Sequence, residues 1–218
     1  MAPPRPGFVP LRERLYRRAL RAALGGCATV LDVGCGPRSP LAAAGYRGRA
    51  FGVDVAPVSL AAARAAGFHA GLVRAEATQV ARVFRARSVD AVVALDLIEH
   101  LQRDAALALV ASFEQVARRR VVLFTPNGFV PQPPTPDNPF QEHRSGFTAA
   151  DLRRLGYRVQ GVHGLRWLLG PYAECRLRPA VLWRRVADLT APLTAAIPQL
   201  AFGLLARKDL DGGPRQSS

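Results

Sequence analysis

Asp96, Glu99 and His100, in the stretch DLIEHL, fall at i, i+3 and i+4, a spacing that puts three metal-ligating or proton-carrying side chains on one face of a helical turn. Such donors suit Mg²⁺, Mn²⁺ or Zn²⁺, and a bound metal or a nearby imidazole can deprotonate a hydroxyl. The same two acids also spell a capping box, with Asp96 at N-cap and Glu99 at N3, which is a purely structural use of them. A second group of residues points to a nucleoside ligand. VLDVGCGPRSP (30–40) sets Gly34 and Gly36 in a turn between an apolar run and a helical stretch, where backbone can approach a ligand closely and helix N–H groups meet an anionic group. A tight strand–helix turn with no ligand would use the same glycines. Asp54 closes the next apolar run, 22 residues after Asp32, and a carboxylate there can accept from both ribose hydroxyls of an adenosine cofactor. Its alternative is to cap a helix near Pro57. Glu76, in RAEAT, follows the third run within reach of an adenine amino group. A dinucleotide fingerprint starting at Gly34 needs a third glycine at position 39, which is Ser39, and this argues against NAD.

These residues need a frame that brings run ends together. Short apolar runs at 28–33, 50–54, 69–73, 89–95 and 121–125 alternate with helical stretches, which predicts a parallel sheet with crossover helices. The helix before the fifth run is marked by Leu101, Ala105, Leu109, Phe113 and Val116, and Arg118, Arg119 and Arg120 are expected to end it where the dipole favours cations. Residues 126–147 form a long Pro-rich loop, expected at the active site because loops of this length in compact domains tend to be functional. Asn138-Pro139-Phe140 within it reads as a turn. A short helix capped by Thr148, a sixth strand at 157–162 and a last strand at 200–208 follow. Between them, residues 163–198 form an apolar helical insert, expected to be a substrate lid, a dimer contact, a membrane-touching element or extra core. Residues 1–27 read as an extension with an Arg-rich amphipathic helix at 11–24, residues 28–208 as the main domain, and 209–218 as a disordered tail.

With 218 residues, 49% hydrophobic and 21% charged, the chain suits one folded domain rather than a disordered one. The formal charge is +14, and Lys208 is the only lysine. The arginines read as scattered and not gathered on one helix face, so the surplus is a weak pointer to a polyanion. Cys27, Cys35 and Cys175 are too few and irregular for a disulfide framework and fit a reducing compartment, the cytoplasm. No apolar run is long enough to span a membrane, so the chain is expected to be soluble or at most peripheral.

LDVGCG, FGVDV, RAEA and DAVVALDLIEHL, in this order and spacing, resemble the successive motifs of class I S-adenosylmethionine-dependent methyltransferases over roughly residues 28–162. The resemblance implies an α/β, Rossmann-like, doubly wound fold: a mostly parallel seven-stranded sheet with helices on both faces. It implies S-adenosylmethionine as cofactor, with Asp32, Gly34 and Gly36 at its methionine end, Asp54 at the ribose and Glu76 at the adenine. Cys35, Val55, Ala77 and Asp96 complete the implied cofactor-binding set. Arg38 departs from the pattern, standing where many members carry a third glycine, and Glu76 stands where Asp is commoner. DLIEHL further resembles the acidic-x-x-Glu-His segment of ubiquinone-pathway O-methyltransferases and of small-RNA 2′-O-methyltransferases, in which the acids and the His help bind a divalent metal. By the second group, His143 of QEHRSGF would complete a set of Asp96, Glu99, His100 and His143 for Mg²⁺, Mn²⁺ or Zn²⁺. Without a metal, His143 is a general base or substrate contact, so His143 and Asp96 are the catalytic candidates. The expected acceptor is a hydroxyl of a small molecule, lipid or sugar precursor. An Asn/Asp-Pro-Pro-aromatic segment, as in amino-methylating nucleic-acid enzymes, is absent where the chain reads DLIE. Open alternatives are an RNA or other nucleic-acid methyltransferase, a cofactor-binding module without chemistry and, more remotely, an NAD-dependent dehydrogenase.

Overall fold

The structure, a computed structural model, describes residues 9–134 and 139–210. The Pro-rich residues 1–8, Asn138 of the expected loop turn and residues 211–218 of the expected tail lie outside the described residues. Seven strands form one sheet: β1 (Thr29–Val33), β2 (Arg49–Asp54), β3 (Gly71–Arg74), β4 (Val89–Leu95), β5 (Ala117–Pro126), β6 (Arg158–Leu165) and β7 (Ala201–Asp209). Their order is β3-β2-β1-β4-β5-β7-β6. β7 runs antiparallel to both of its neighbours, and the other pairs are parallel. The helices are α1 (Leu11–Ala23), α2 (Pro40–Ala43), α3 (Pro57–Ala66), α4 (Val80–Val83), α5 (Arg103–Val116), α6 (Ala149–Arg154) and α7 (Ala180–Ala196).

The central strands are near-continuous apolar runs because parallel strands are covered on both faces. Along them, side chains alternate between two cores. Leu31, Val92, Val121 and Leu123 meet Leu109, Val110 and Phe113 of α5 and Leu152 of α6. Val30, Val93, Val122 and Phe124 meet Tyr16 and Leu20 of α1 and Leu41 of α2. The strand order reverses between β1 and β4. In such sheets a crevice opens beyond the carboxyl ends of the strands at that point.

Several local expectations are corrected. α5 begins at Arg103, after Leu101, and buries Ala106 rather than Ala105. Arg118, Arg119 and Arg120 lie in β5, because the chain becomes extended at Ala117. Arg120 turns inward to Asp209 at 2.7 Å, and its guanidinium donates to the carbonyls of Ala23 and Gly25, so it caps α1 instead of α5. Asp209 ends β7 and Leu210 donates to the Arg119 carbonyl, so neither belongs to a loose tail. The arginines are also less scattered than the sequence suggests: Arg14, Arg17, Arg18 and Arg21 of α1, at i, i+3, i+4 and i+7, line one open groove with Ala43 and Ala44. Thr148 caps α6 through a capping box with Asp151.

The segment between β6 and β7 consists of short 3₁₀ turns and α7. α7 buries only small side chains, Ala187, Ala191 and Thr194. Gly161 and Gly164 of β6 permit the close crossing, since a Cβ on either would collide with the Thr194 or Ala187 backbone. Among the described residues, no helix is long and apolar enough to cross a membrane.

Candidate active site

A cavity of about 350 Å³ opens at the strand-order reversal, lined by Gly34, Gly36, Asp54, Val55, Glu76, Ala77 and Asp96, with Phe140, Gln141, Glu142 and Arg144 of the 126–147 loop across it. Most of the sequence-derived cofactor set therefore converges on one space. Gly34 and Gly36 adopt φ of +70° and +60°, a region that favours glycine. A Cβ on Gly34 would also sit 2.8 Å from a Leu97 methyl. Asp54 fixes the turn: one carboxylate oxygen accepts the Gly36 N–H at 2.9 Å and the other the Ala56 N–H at 2.8 Å. It is not the N-cap of α3, a position held by Ala56.

Two members of the set stand behind the cavity instead of in it. Asp32 is buried, accepting from the Ser39 hydroxyl at 2.6 Å and contacting His69 Nε2 at 3.0 Å. Ser39 in turn accepts the Leu41 N–H as N-cap of α2, so Asp32 locks the glycine turn to the helix that follows. Cys35 is buried, and burial pushes its thiol up to about 12. Neither Ser39 nor His69 was indicated by the sequence, since their roles appear only once β1, the turn and the start of β3 meet.

β4 ends at Leu95, and Asp96, which follows it, has φ of +58°. Ile98–His100 forms a single 3₁₀ turn, and no side chain caps it. The expected capping box is therefore not formed, because the left-handed residue breaks the path into a helix and α5 starts only at Arg103. The segment has a different use. The Glu99 backbone carbonyl accepts the N–H groups of Arg144 (2.8 Å) and Ser145 (3.0 Å), clamping the 126–147 loop onto the turn. His100 and His143 are thereby brought to a ring separation of 4.9 Å. Ligand atoms of Glu99, His100 and His143 all lie within 4.8 Å of one another. Asp96 stands beside this trio and is not one of it.

The electrostatics of this cluster are unusual. Glu99 is fully buried and neither carboxylate oxygen has a hydrogen-bond partner. Burial first, then the charge of Asp96, raises its carboxyl well above the ordinary range. The Thr125 hydroxyl beside it is also buried and unpartnered, a neighbour with no sequence signal. Asp96 is exposed and lines both cavities, yet desolvation by the surrounding protein raises its carboxyl to about 7. Burial lowers both His100 and His143, which favours neutral rings. His100 Nδ1 lies 3.1 Å from the Glu142 carbonyl and His143 Nδ1 2.7 Å from that of Val130. A neutral ring donates there, which leaves Nε2 as the free lone pair.

A second cavity, about 320 Å³, adjoins the first and shares Asp96, His100 and Gln141 with it. Its walls are Phe124, Pro126, Val130, Gln132, His143, His163, Phe202, and Gly170, Tyr172 and Ala173 of the 163–198 segment. Tyr172 is tied to the 126–147 loop by its hydroxyl on the Pro133 carbonyl (2.6 Å) and its N–H on Gln132 (3.0 Å). The two segments expected near the acceptor thus share one wall.

Residues 31–124 match the family model described as a methyltransferase domain. Among solved structures, the chain is similar to a SAM-dependent methyltransferase from Archaeoglobus fulgidus, at 16% identity and a TM-score of 0.57, covering 91% of this chain and 94% of that one. It is similar to the methyltransferase domain of bacterial CtHen1-CN, at 17% identity and TM-score 0.57, covering 92% and 100%. The N-terminal domain of EvdMO1, in the presence of SAH and D-fucose, shares 16% identity at TM-score 0.52, covering 68% and 75%. At such identities the likeness is one of fold. No curated protein matches the sequence.

Proposed function

From the match of residues 31–124 to a methyltransferase domain, we propose that the chain is a class I S-adenosylmethionine-dependent methyltransferase that methylates a hydroxyl group held in the second cavity and deprotonated at the Glu99–His100–His143 cluster. The observation that carries this reading is the position of the cluster: His100 and Asp96 line both cavities, and His143 faces the second. S-adenosylmethionine supplies a methyl already activated on sulfur, so the protein's part is proximity, alignment and removal of the acceptor proton. Gly34 and Gly36 admit the cofactor closely, Asp54 and Glu76 are placed for ribose and adenine, and Asp96 marks the junction with the acceptor. With the cofactor bound, transfer to the acceptor oxygen would break the sulfur–methyl bond, and His143 Nε2 would take the hydroxyl proton. Phe124, Phe202 and Tyr172 exclude water and favour an acceptor with an apolar body.

The cluster also fits a divalent cation. A buried carboxylate without partners and two imidazoles with Nδ1 held by backbone carbonyls are a fitting donor set. Glu99, His100 and His143 would hold it, and when bound it would lower the pKa of a neighbouring hydroxyl. A nucleic-acid hydroxyl is the second reading, favoured by the four arginines along α1. Release of S-adenosylhomocysteine across a panel of hydroxyl, amine and thiol acceptors and single-stranded RNA tests the proposal. Turnover on apolar hydroxyl compounds supports it; turnover on amines alone, or on RNA with steep salt dependence, contradicts it.

A further inference from the structure

Eight of the thirteen exposed large hydrophobic side chains among the described residues lie between Trp167 and Ile197, a small part of the chain. On α7, Leu182, Leu189 and Leu193 fall at i, i+7 and i+11 and are 53%, 77% and 52% exposed. α7 buries only alanines and a threonine, and Trp183 and Val186 pack against the cluster around Leu168 and Phe202, which leaves Val181, Leu182, Leu189 and Leu193 facing outward. Scattered exposed apolar residues are normal, but a contiguous stripe marks an interaction site.

The charge around the stripe says what kind of partner fits. Arg166, Arg176, Arg178, Arg184 and Arg185 are exposed in the same segment. The acids there are Glu174 and Asp188, and Asp188 is already paired with Arg12 at 2.9 Å. A leucine stripe on one face of α7, in a segment that also exposes these arginines, Trp167 and Tyr172, matches a helix lying in the headgroup layer of an anionic bilayer. A second copy of the chain would bring two sets of arginines together, which disfavours self-association.

We propose that the 166–197 face docks on an anionic lipid surface and that the acceptor is a hydroxyl-bearing amphiphile drawn from that bilayer. The same segment supplies Gly170, Tyr172 and Ala173 to the second cavity, so docking brings the acceptor site to the membrane. The docking stands on the surface alone; the acceptor class rests on the methyl-transfer reading.

Co-sedimentation with vesicles tests it, using an equimolar mixture of phosphatidylglycerol and phosphatidylcholine against phosphatidylcholine alone. The full chain is expected to sediment with the anionic vesicles only. The triple variant Leu182→Gln, Leu189→Gln, Leu193→Gln should stay in solution, with unchanged affinity for S-adenosylhomocysteine showing that it is folded. Each of Arg178→Gln and Arg185→Gln should lower partitioning by about fivefold. The proposal is overturned if the wild type ignores anionic vesicles, if the triple variant binds them equally, or if the triple variant merely converts a dimer to a monomer. Vesicle binding by a protein that methylates no hydroxyl would uphold docking and overturn only the activity reading.

Discussion

Replacing Glu99 by Gln should make the metal-free protein progressively more stable relative to wild type as pH rises. In the folded protein the carboxyls of Glu99 and Asp96 are both raised, chiefly by burial. A group raised on folding contributes its stability while protonated and loses it as pH climbs through its folded pKa. For Asp96 the interval runs from 3.8 to about 7. Taken at face value that shift is about 4 kcal/mol, but the carboxylate keeps accessible surface in the cavities, so roughly 1–2 kcal/mol is the realistic share. Glu99, without partners and pushed the same way, adds to the loss. Gln carries no charge to bury, so the variant escapes the Glu99 part and keeps the Asp96 part. Urea unfolding in EDTA at pH 5 and pH 8 measures this. The gap between variant and wild type should move in the variant's favour from the lower to the higher pH. A gap that stays constant would mean that Glu99 has the same protonation state folded and unfolded, and the account of its burial would be wrong.

Three further outcomes follow from the site. Asp54→Ala removes the acceptor of two turn-fixing N–H bonds and the candidate ribose anchor, and should weaken S-adenosylhomocysteine binding by about 2–4 kcal/mol in calorimetry; unchanged affinity rejects the ribose assignment. Gly34→Ala places a methyl against Leu97 at positive φ and should lower stability by about 1–3 kcal/mol in urea unfolding, together with cofactor affinity; a neutral result would mean the turn is not as tight as described. Mn²⁺ added to wild type should bind more tightly as pH rises from 6 to 8 and release protons, seen as a buffer-dependent heat, because Glu99 must ionise to ligate; pH-independent binding, or equal binding in Glu99→Gln, places the ion elsewhere.

The sheet is readable because its strands are apolar runs broken by glycine turns, and the wall of the first cavity because Gly34, Gly36, Asp54 and Glu76 sit at run ends. What escaped depended on contacts between distant segments. Asp32 was expected in the cavity, yet Ser39 and His69 hold it behind the turn. DLIEHL has the spacing of a capped helix, and only the left-handed backbone at Asp96 shows that the helix begins later. Arg120 was read as capping the helix beside it in sequence, whereas the partner that decides its place is Asp209, on the neighbouring strand. His143 was placed near His100 by resemblance, and the bonds from Arg144 and Ser145 to the Glu99 carbonyl are the physical reason that it arrives there.

In the proposed reaction the acceptor loses its proton at the Glu99–His100–His143 cluster. Single-turnover transfer of labelled methyl from S-adenosylmethionine, comparing wild type with His143→Ala at saturating cofactor, tests it most directly. The account predicts a fall on the order of 10²–10⁴-fold, with S-adenosylhomocysteine affinity held within about twofold, since His143 does not line the cofactor cavity. Full single-turnover rate in His143→Ala, and again in His100→Ala, would contradict it.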